Sequence, residues 1–151
     1  MLCRVIPGFD ELGRLPPGIH IASWEEVVVR FGGSAWRARL LEGLRGALLS
    51  LKSAGCTVAY IDGSFVTAKR EPGDFDACWD EAGVDPDALD PVLLNFDNKR
   101  AAQKAKYSGE LFPASVFADL KGNSFLHFFQ IDKATGDPKG IIAIDLTGWQ
   151  P

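Results

Sequence analysis

The sequence predicts a single-domain protein of the α/β (α+β) class, in which a small mixed β-sheet is flanked by helices. Helix-type and strand-type segments alternate along the chain, and this order favours helices layered on a sheet. The length of 151 residues is enough for one domain with a real core. Since no internal repeat or interdomain linker divides the chain, we expect one domain over residues 1–151.

The N-terminal third predicts an extended arm followed by two helices. Residues 1–22 include the helix-blocking "LPPG" and are expected to form an extended N-terminal arm. "SWEE" matches a capping box with Ser23 as N-cap, so a short helix should cover residues 24–31. Ser34 can cap a second helix, which a one-sided leucine pattern extends to about residue 53.

The rest of the chain predicts three strands and further helical segments. "CTVAYI" (56–61), "DFDACWD" (74–80) and "IIAIDL" (141–146) have the composition of strands. Residues 86–107 are expected to be helical with a break near 95–98. "GNSFLHFFQ" (122–130) is expected to be a short helix, with a strand as the alternative.

Composition and charge exclude several classes of protein. The net charge of −4 and the pI near 5.1 give no strong signal for binding duplex DNA. No apolar run approaches the roughly 18 residues that a membrane span needs, and the N-terminus lacks the apolar centre of a signal peptide. The scattered cysteines Cys3, Cys56 and Cys78 form no disulfide or zinc spacing, so we expect a reducing, cytoplasmic location.

Two aspartates on a predicted strand suggest a metal site. Asp74 and Asp76 are two residues apart, so their side chains should point to the same side with Cα atoms ~6.5 Å apart. Two unpaired carboxylates this close raise each other's pKa, and a cation between them removes the repulsion. Mg²⁺ suits that place because it prefers hard oxygen ligands together with substrate phosphates.

A Gly-Ser pair follows the preceding strand and suggests a phosphate site. Gly63 lets the backbone approach a phosphate closely, and Ser64 offers a hydroxyl and N–H groups to it. Asp62, directly before the glycine, is expected to face solvent or stabilise a turn.

The segment "DGSFVTAKREPGDFDA" resembles the signature of the DNA polymerase beta-type nucleotidyltransferase superfamily: an apolar strand, Gly-Ser, and about ten residues later Asp-x-Asp. The superfamily places a third acid on a later strand, and Asp145 in "IIAIDL" has the matching context. The resemblance covers residues 35–146 and implies a minimal nucleotidyltransferase fold. Other parts of the sequence, including "LPPGIH", also resemble a small bacterial, often mobile-element-borne family of unknown function in that superfamily.

The resemblance implies a Mg²⁺- (or Mn²⁺-) dependent nucleotidyltransferase. It would move a nucleoside monophosphate from a nucleoside triphosphate to a protein, tRNA or small-molecule acceptor. Asp74 and Asp76 would bind metal, and Asp145 would hold the catalytic metal or activate the acceptor. The alternative for Asp145 is a cap on the following turn, "TGW".

Basic residues are expected to complete the nucleotide site. A nucleoside triphosphate carries about four negative charges, which metal ions alone do not neutralise. At least one of Lys69, Arg100 and Lys104 is therefore expected to reach the phosphates, whereas a solvated helix face is the alternative for most of them.

A second class of function stays open. Small members of the superfamily act as antitoxins, so the chain is alternatively a non-catalytic binding protein with a protein partner. Titration with Mg²⁺ and ATP distinguishes a nucleotide-binding protein from a fold used only as a scaffold.

Overall fold

The computed structural model describes residues 6–151, so the first five residues of the predicted arm, including Cys3, lie outside the described residues. Residues 6–151 form a five-stranded mixed sheet and four helices, which confirms the predicted α/β class. The strands are β1 (Gly18–Ala22), β2 (Val58–Asp62), β3 (Phe75–Trp79), β4 (Gly109–Pro113) and β5 (Gly140–Asp145). The helices are α1 (Trp24–Phe31), α2 (Ala35–Ser53), α3 (Asp97–Tyr107) and α4 (Phe125–Phe128).

The sheet has the strand order β1-β5-β2-β3-β4. Strand β2 runs antiparallel to both of its neighbours, β3 and β5, while β1 is parallel to β5 and β4 is parallel to β3. The end of β2 therefore lies beside the start of β3, whereas the end of β5 lies beside the start of β2, at the other end of these strands.

Local side-chain caps explain the first two helices. The Ser23 hydroxyl accepts a hydrogen bond from the Glu26 backbone N–H, and the Glu26 carboxylate accepts one from the Ser23 N–H. The Ser34 hydroxyl accepts a bond from the Arg37 N–H at the start of α2. Each cap satisfies backbone donors that a helix start leaves free, and the predicted ranges of α1 and α2 are confirmed.

The two faces of the sheet are covered differently. Helices α1, α2 and α3 pack on one face, where alternate strand residues such as Phe75, Ala77 and Ile142 are fully buried. The opposite face carries a smaller cluster, which includes Cys78, Phe129 and the apolar residues of α4. This second cluster covers only part of its face and leaves room for polar side chains beside it.

Two strands were not predicted. Part of the expected N-terminal arm is strand β1, which pairs with β5 at one edge of the sheet. Strand β4 pairs with β3 at the other edge. The predicted helix over 86–107 is divided, as expected, into a 3₁₀ helix (Pro91–Leu94) and α3, and residues 86–90 are not helical.

No helix within residues 6–151 is both long enough and apolar enough to cross a membrane.

Candidate metal and phosphate site

A row of acids crosses three strands of the sheet. Asp62 on β2 lies directly opposite Asp76 on β3, and Asp76 lies opposite Glu110 on β4. Residues that lie opposite each other on neighbouring strands point to the same face, and Asp74 precedes Asp76 by two residues. The four carboxylates therefore share the face opposite α1, α2 and α3.

Three of these acids form a compact cluster. Asp74, Asp76 and Glu110 each offer a carboxylate oxygen, and the three oxygens lie within 4.8 Å of one another. Carboxylate oxygens at this spacing are the donor set that Mg²⁺ and Mn²⁺ bind. Asp74 and Asp76 were predicted to meet, whereas Glu110 was missed because a single acid in "GELFP" gives no signal of its own.

The electrostatics of the cluster favour a bound cation. Burial, together with the neighbouring charges of Asp74, Asp62 and Glu110, raises the pKa of Asp76 to about 7. Burial, followed by the charge of Glu110, also raises the pKa of Asp74. A divalent cation among these oxygens would remove the repulsion that opposes ionisation of both aspartates.

Glu110 is the member of the cluster that already has cationic partners. Arg100 approaches its carboxylate to 2.8 Å and Lys104 to 3.2 Å. Burial raises the pKa of Glu110, but the hydrogen bonds from these two cations outweigh it and the pKa is lowered. Arg100 and Lys104, two of the cations of which at least one was expected to reach the phosphates, are thus held by Glu110 in this structure.

The backbone around Arg100 is unusual. Asn98, Lys99 and Arg100 have φ values of 51°, 56° and 61°, so the first turn of α3 is left-handed. Non-glycine residues pay a steric cost in this region. The turn places the Arg100 guanidinium against Glu110 and also 5.6 Å from the centre of the Phe112 ring.

The structure brings the predicted Gly-Ser pair next to the acids. Gly63 has φ +82°, and a Cβ atom at this position would lie only 2.5 Å from Asp76 Oδ2. Glycine is therefore required both by the backbone conformation and by the approach of the carboxylate. Ser64 begins a short 3₁₀ helix and lines, with Gly63, Asp62 and Asp76, a cleft of about 390 Å³.

Lys69 does not join this cleft. Its backbone carbonyl accepts a hydrogen bond from the Arg37 guanidinium, and its exposed side chain lines a different surface depression together with Trp36 and Arg70. Lys69 was one of the cations of which at least one was expected to reach the phosphates, and it does not line the cleft beside Gly63 and Ser64.

Asp145 lies at the wrong end of the sheet for the predicted site. It pairs in register with Val58 at the start of β2, whereas Asp62, the partner of Asp76, is four residues further on. At about 3.3 Å per residue this separates the two positions by ~13 Å along the strand. Asp145 Oδ1 accepts hydrogen bonds from the Thr147 N–H and hydroxyl, at 2.9 and 2.6 Å. The prediction that Asp145 is the third acid is wrong, and the alternative of a turn cap describes it.

Asp62 also differs from its expectation. It was expected to face solvent or stabilise a turn, but it is only 3% exposed. Burial raises its pKa, and the charge of Lys139 lowers it in part. The Lys139 ammonium lies 3.3 Å from Asp62 Oδ1, yet that oxygen has no aligned hydrogen-bond partner within residues 6–151.

These features define an α/β protein with a candidate divalent-cation site beside a glycine-serine turn. The chain belongs to DUF6932, a family of unknown function whose model matches residues 7–145. No curated protein and no solved structure is significantly similar to the chain.

Proposed function

We propose that the protein is a Mg²⁺- or Mn²⁺-dependent nucleotidyltransferase with a minimal nucleotidyltransferase fold. The observation that carries the proposal is the cluster of Asp74, Asp76 and Glu110 beside the Gly63-Ser64 turn. The sequence resemblance calls for a Gly-Ser turn, an Asp-x-Asp strand and a third acid on a later strand. Glu110 on β4 supplies that third acid in place of Asp145.

The donor set fits the proposed cofactor. Three carboxylates within 4.8 Å and an Asp76 pKa raised to about 7 describe a site that gains from a doubly charged ion. Asp74, Asp76 and Glu110 would hold it. A bound ion of this type lowers the pKa of an attacking hydroxyl and neutralises charge on phosphate oxygens.

In the proposed reaction an acceptor oxygen attacks the α-phosphorus of a nucleoside triphosphate. The new bond joins the acceptor oxygen to that phosphorus, the bond to the α,β-bridging oxygen breaks, and the acceptor loses its proton while pyrophosphate leaves. The Gly63-Ser64 turn would position the phosphates, because Gly63 presents bare backbone and Ser64 presents its hydroxyl at the cleft. A protein, tRNA or small molecule is the proposed class of acceptor.

One observation favours the second candidate, a non-catalytic protein that binds a partner in the manner of an antitoxin. Arg100 and Lys104 bring two positive charges to Glu110, which leaves the three-acid cluster with a formal charge of only −1. If these ion pairs persist in the presence of metal, Glu110 is not a metal ligand, and the loss of the third acid favours the non-catalytic candidate.

Transfer of a labelled nucleotide tests the proposal. The protein is incubated with Mg²⁺ and α-³²P-labelled nucleoside triphosphates, together with total tRNA or lysate protein, and label in the acceptor fraction is measured. We expect Mg²⁺-dependent labelling that Asp74→Asn and Asp76→Asn abolish. Asp145→Asn is the matched control, because Asp145 lies at the far end of the sheet, and it should keep full activity.

Nucleotide binding separates the two candidates if no acceptor becomes labelled. A thermal shift with Mg²⁺ and ATP that Asp76→Asn removes would support a nucleotide site. The absence of both labelling and a Mg²⁺-dependent shift would refute the proposed function.

A further inference from the structure

We infer that Lys139 binds the terminal phosphates of the nucleotide and that Asp62 is its positioning residue. The inference rests on the proposed function and adds a specificity determinant to it, a preference for a triphosphate over a monophosphate. Asp62 and Lys139 form an ion pair that is not part of the cluster of Asp74, Asp76 and Glu110.

The first observation is the incomplete contact between Asp62 and Lys139. Asp62 is a buried residue at the wall of the cleft, and its Oδ1 atom has no hydrogen-bond partner of good geometry within residues 6–151. A buried carboxylate whose oxygen lacks a hydrogen bond lowers the stability of the folded protein. The Lys139 ammonium lies 3.3 Å away and balances its charge. Because an ammonium carries several N–H groups, those that do not point at Asp62 remain available to a ligand.

The second observation is the position of Lys139 relative to the acid cluster of Asp74, Asp76 and Glu110. It directly precedes β5, which lies on the other side of β2 from β3. Two strand spacings, about 9.6 Å in all, separate the strand of Asp76 from the strand that Lys139 precedes. A phosphate chain whose first phosphorus lies at the acid cluster would cross the Gly63-Ser64 turn and end at Lys139.

The remaining charges of the cleft leave Lys139 as the best-placed cation. Arg14 is committed to Asp10 and Asp132, both at 2.9 Å. Lys133 also lines the cleft, but it is exposed and lies 5.4 Å from the centre of the Phe128 ring. Lys139 is the more confined of the two lysines, with a side chain only 17% exposed.

The restricted motion of the Lys139 side chain favours a role in specificity. A cation held by a buried acid meets the ligand with little loss of side-chain freedom. A monophosphate bound at the acid cluster would not extend to Lys139, whereas a triphosphate would. The cleft therefore recognises the length of the phosphate chain.

Calorimetry with inorganic tripolyphosphate and Mg²⁺ as the probe tests the inference on the full chain. We expect Lys139→Met to weaken tripolyphosphate binding at least tenfold and Lys139→Arg to restore most of it. Lys121→Met, which removes an exposed lysine outside the cleft, is the matched control and should bind like the wild type.

Two further measurements distinguish a phosphate contact from a structural role. Because Lys139→Met leaves the buried Asp62 without its cation, the double variant Asp62→Asn/Lys139→Met should fold normally and still bind tripolyphosphate weakly. The preference for ATP over AMP should fall at least tenfold in Lys139→Met, a change that general destabilisation would not produce.

The failure of this inference is separable from the failure of the proposed function. Mn²⁺ binding is measured without phosphate in the double variant Asp62→Asn/Lys139→Met, which keeps the net charge of the cleft and should keep the Mn²⁺ affinity. If Mn²⁺ binds and the double variant still binds tripolyphosphate like the wild type, the inference is wrong and the metal site stands. If the wild type binds no Mn²⁺, the proposed function fails and the inference fails with it.

Discussion

Asp76 and Glu110 are direct partners across the parallel strands β3 and β4, yet their charges are balanced very differently. Glu110 is paired with Arg100 and Lys104. Asp76 has no salt-bridge partner within residues 6–151 and has a pKa raised to about 7. A divalent ion between them would give Asp76 the counter-charge that it lacks.

The stability of the metal-free protein should fall as the pH rises. The pKa of Asp76 is about 7 in the folded protein and 3.8 as the ordinary value, so between these values the folded state binds the extra proton. Its contribution to the free energy of unfolding is lost as the pH rises from about 4 to 7, by up to roughly 4 kcal/mol at 1.36 kcal/mol per pKa unit. Urea unfolding in a chelator, compared with Asp76→Asn, isolates this contribution. A difference curve that is flat with pH would show that Asp76 ionises freely.

Divalent metal should reverse that loss. We expect Mg²⁺ to raise the melting temperature more at pH 8 than at pH 6, because protons compete with the ion for Asp76. At an ion concentration of about 100 times Kd the stabilisation is roughly 2.7 kcal/mol. Asp74→Asn and Asp76→Asn should lose this response. Without metal at neutral pH, neither variant should be less stable than the wild type. Asp76→Asn should be the more strongly stabilised of the two, since it removes the carboxylate whose ionisation the folded state opposes. A marked loss of stability in both would show that the acids are structural.

Gly63 should tolerate no side chain. Gly63→Ala places a Cβ atom 2.5 Å from Asp76 Oδ2 and forces a residue with a side chain to adopt φ +82°. We expect a loss of about 1–3 kcal/mol in unfolding free energy and at least a tenfold loss of metal affinity, measured by urea unfolding and calorimetry. Gly136→Ala is the control, because Gly136 also has a positive φ (+77°) but no atom within 4 Å of the added Cβ. Equal metal affinity in the two variants would show that the contact with Asp76 has no role in the site.

Local signals made much of the fold predictable. Ser23 and Ser34 cap the helices that they precede in the chain, and such caps depend only on neighbouring residues. The five-residue strands β1 and β4 are bounded by glycine, proline or a capped helix. They are held in place by pairing with β5 and β3, which are distant in the sequence, so local composition did not reveal them.

The site was predictable only where its residues are close in sequence. Asp74 and Asp76 share one strand, so alternation alone places their side chains together. The choice between Asp145 and Glu110 depends on strand direction. Because β5 is antiparallel to β2, Asp145 lies beside the start of β2, far from Asp76. Strand β4 is parallel to β3 and brings Glu110 opposite Asp76. Sequence patterns do not encode those directions.

Replacing the carboxylate by an amide should therefore affect metal binding at Glu110 and not at Asp145. We expect Glu110→Gln to weaken Mn²⁺ binding at least tenfold, since it removes one of three charged ligands, and Asp145→Asn to leave Mn²⁺ binding unchanged. Titration of both variants by electron paramagnetic resonance checks this. A loss of affinity in Asp145→Asn, with Glu110→Gln unaffected, would reverse the assignment of the third acid.

The most direct test of the acid cluster as a metal site is a crystal structure of the protein with Mn²⁺, collected at a wavelength that reveals the anomalous signal of manganese. We predict an anomalous peak among Asp74, Asp76 and Glu110, within about 2.2 Å of their carboxylate oxygens, and displacement of Arg100 or Lys104 from Glu110. A structure without manganese at this cluster, in which both cations remain bound to Glu110, would contradict the account.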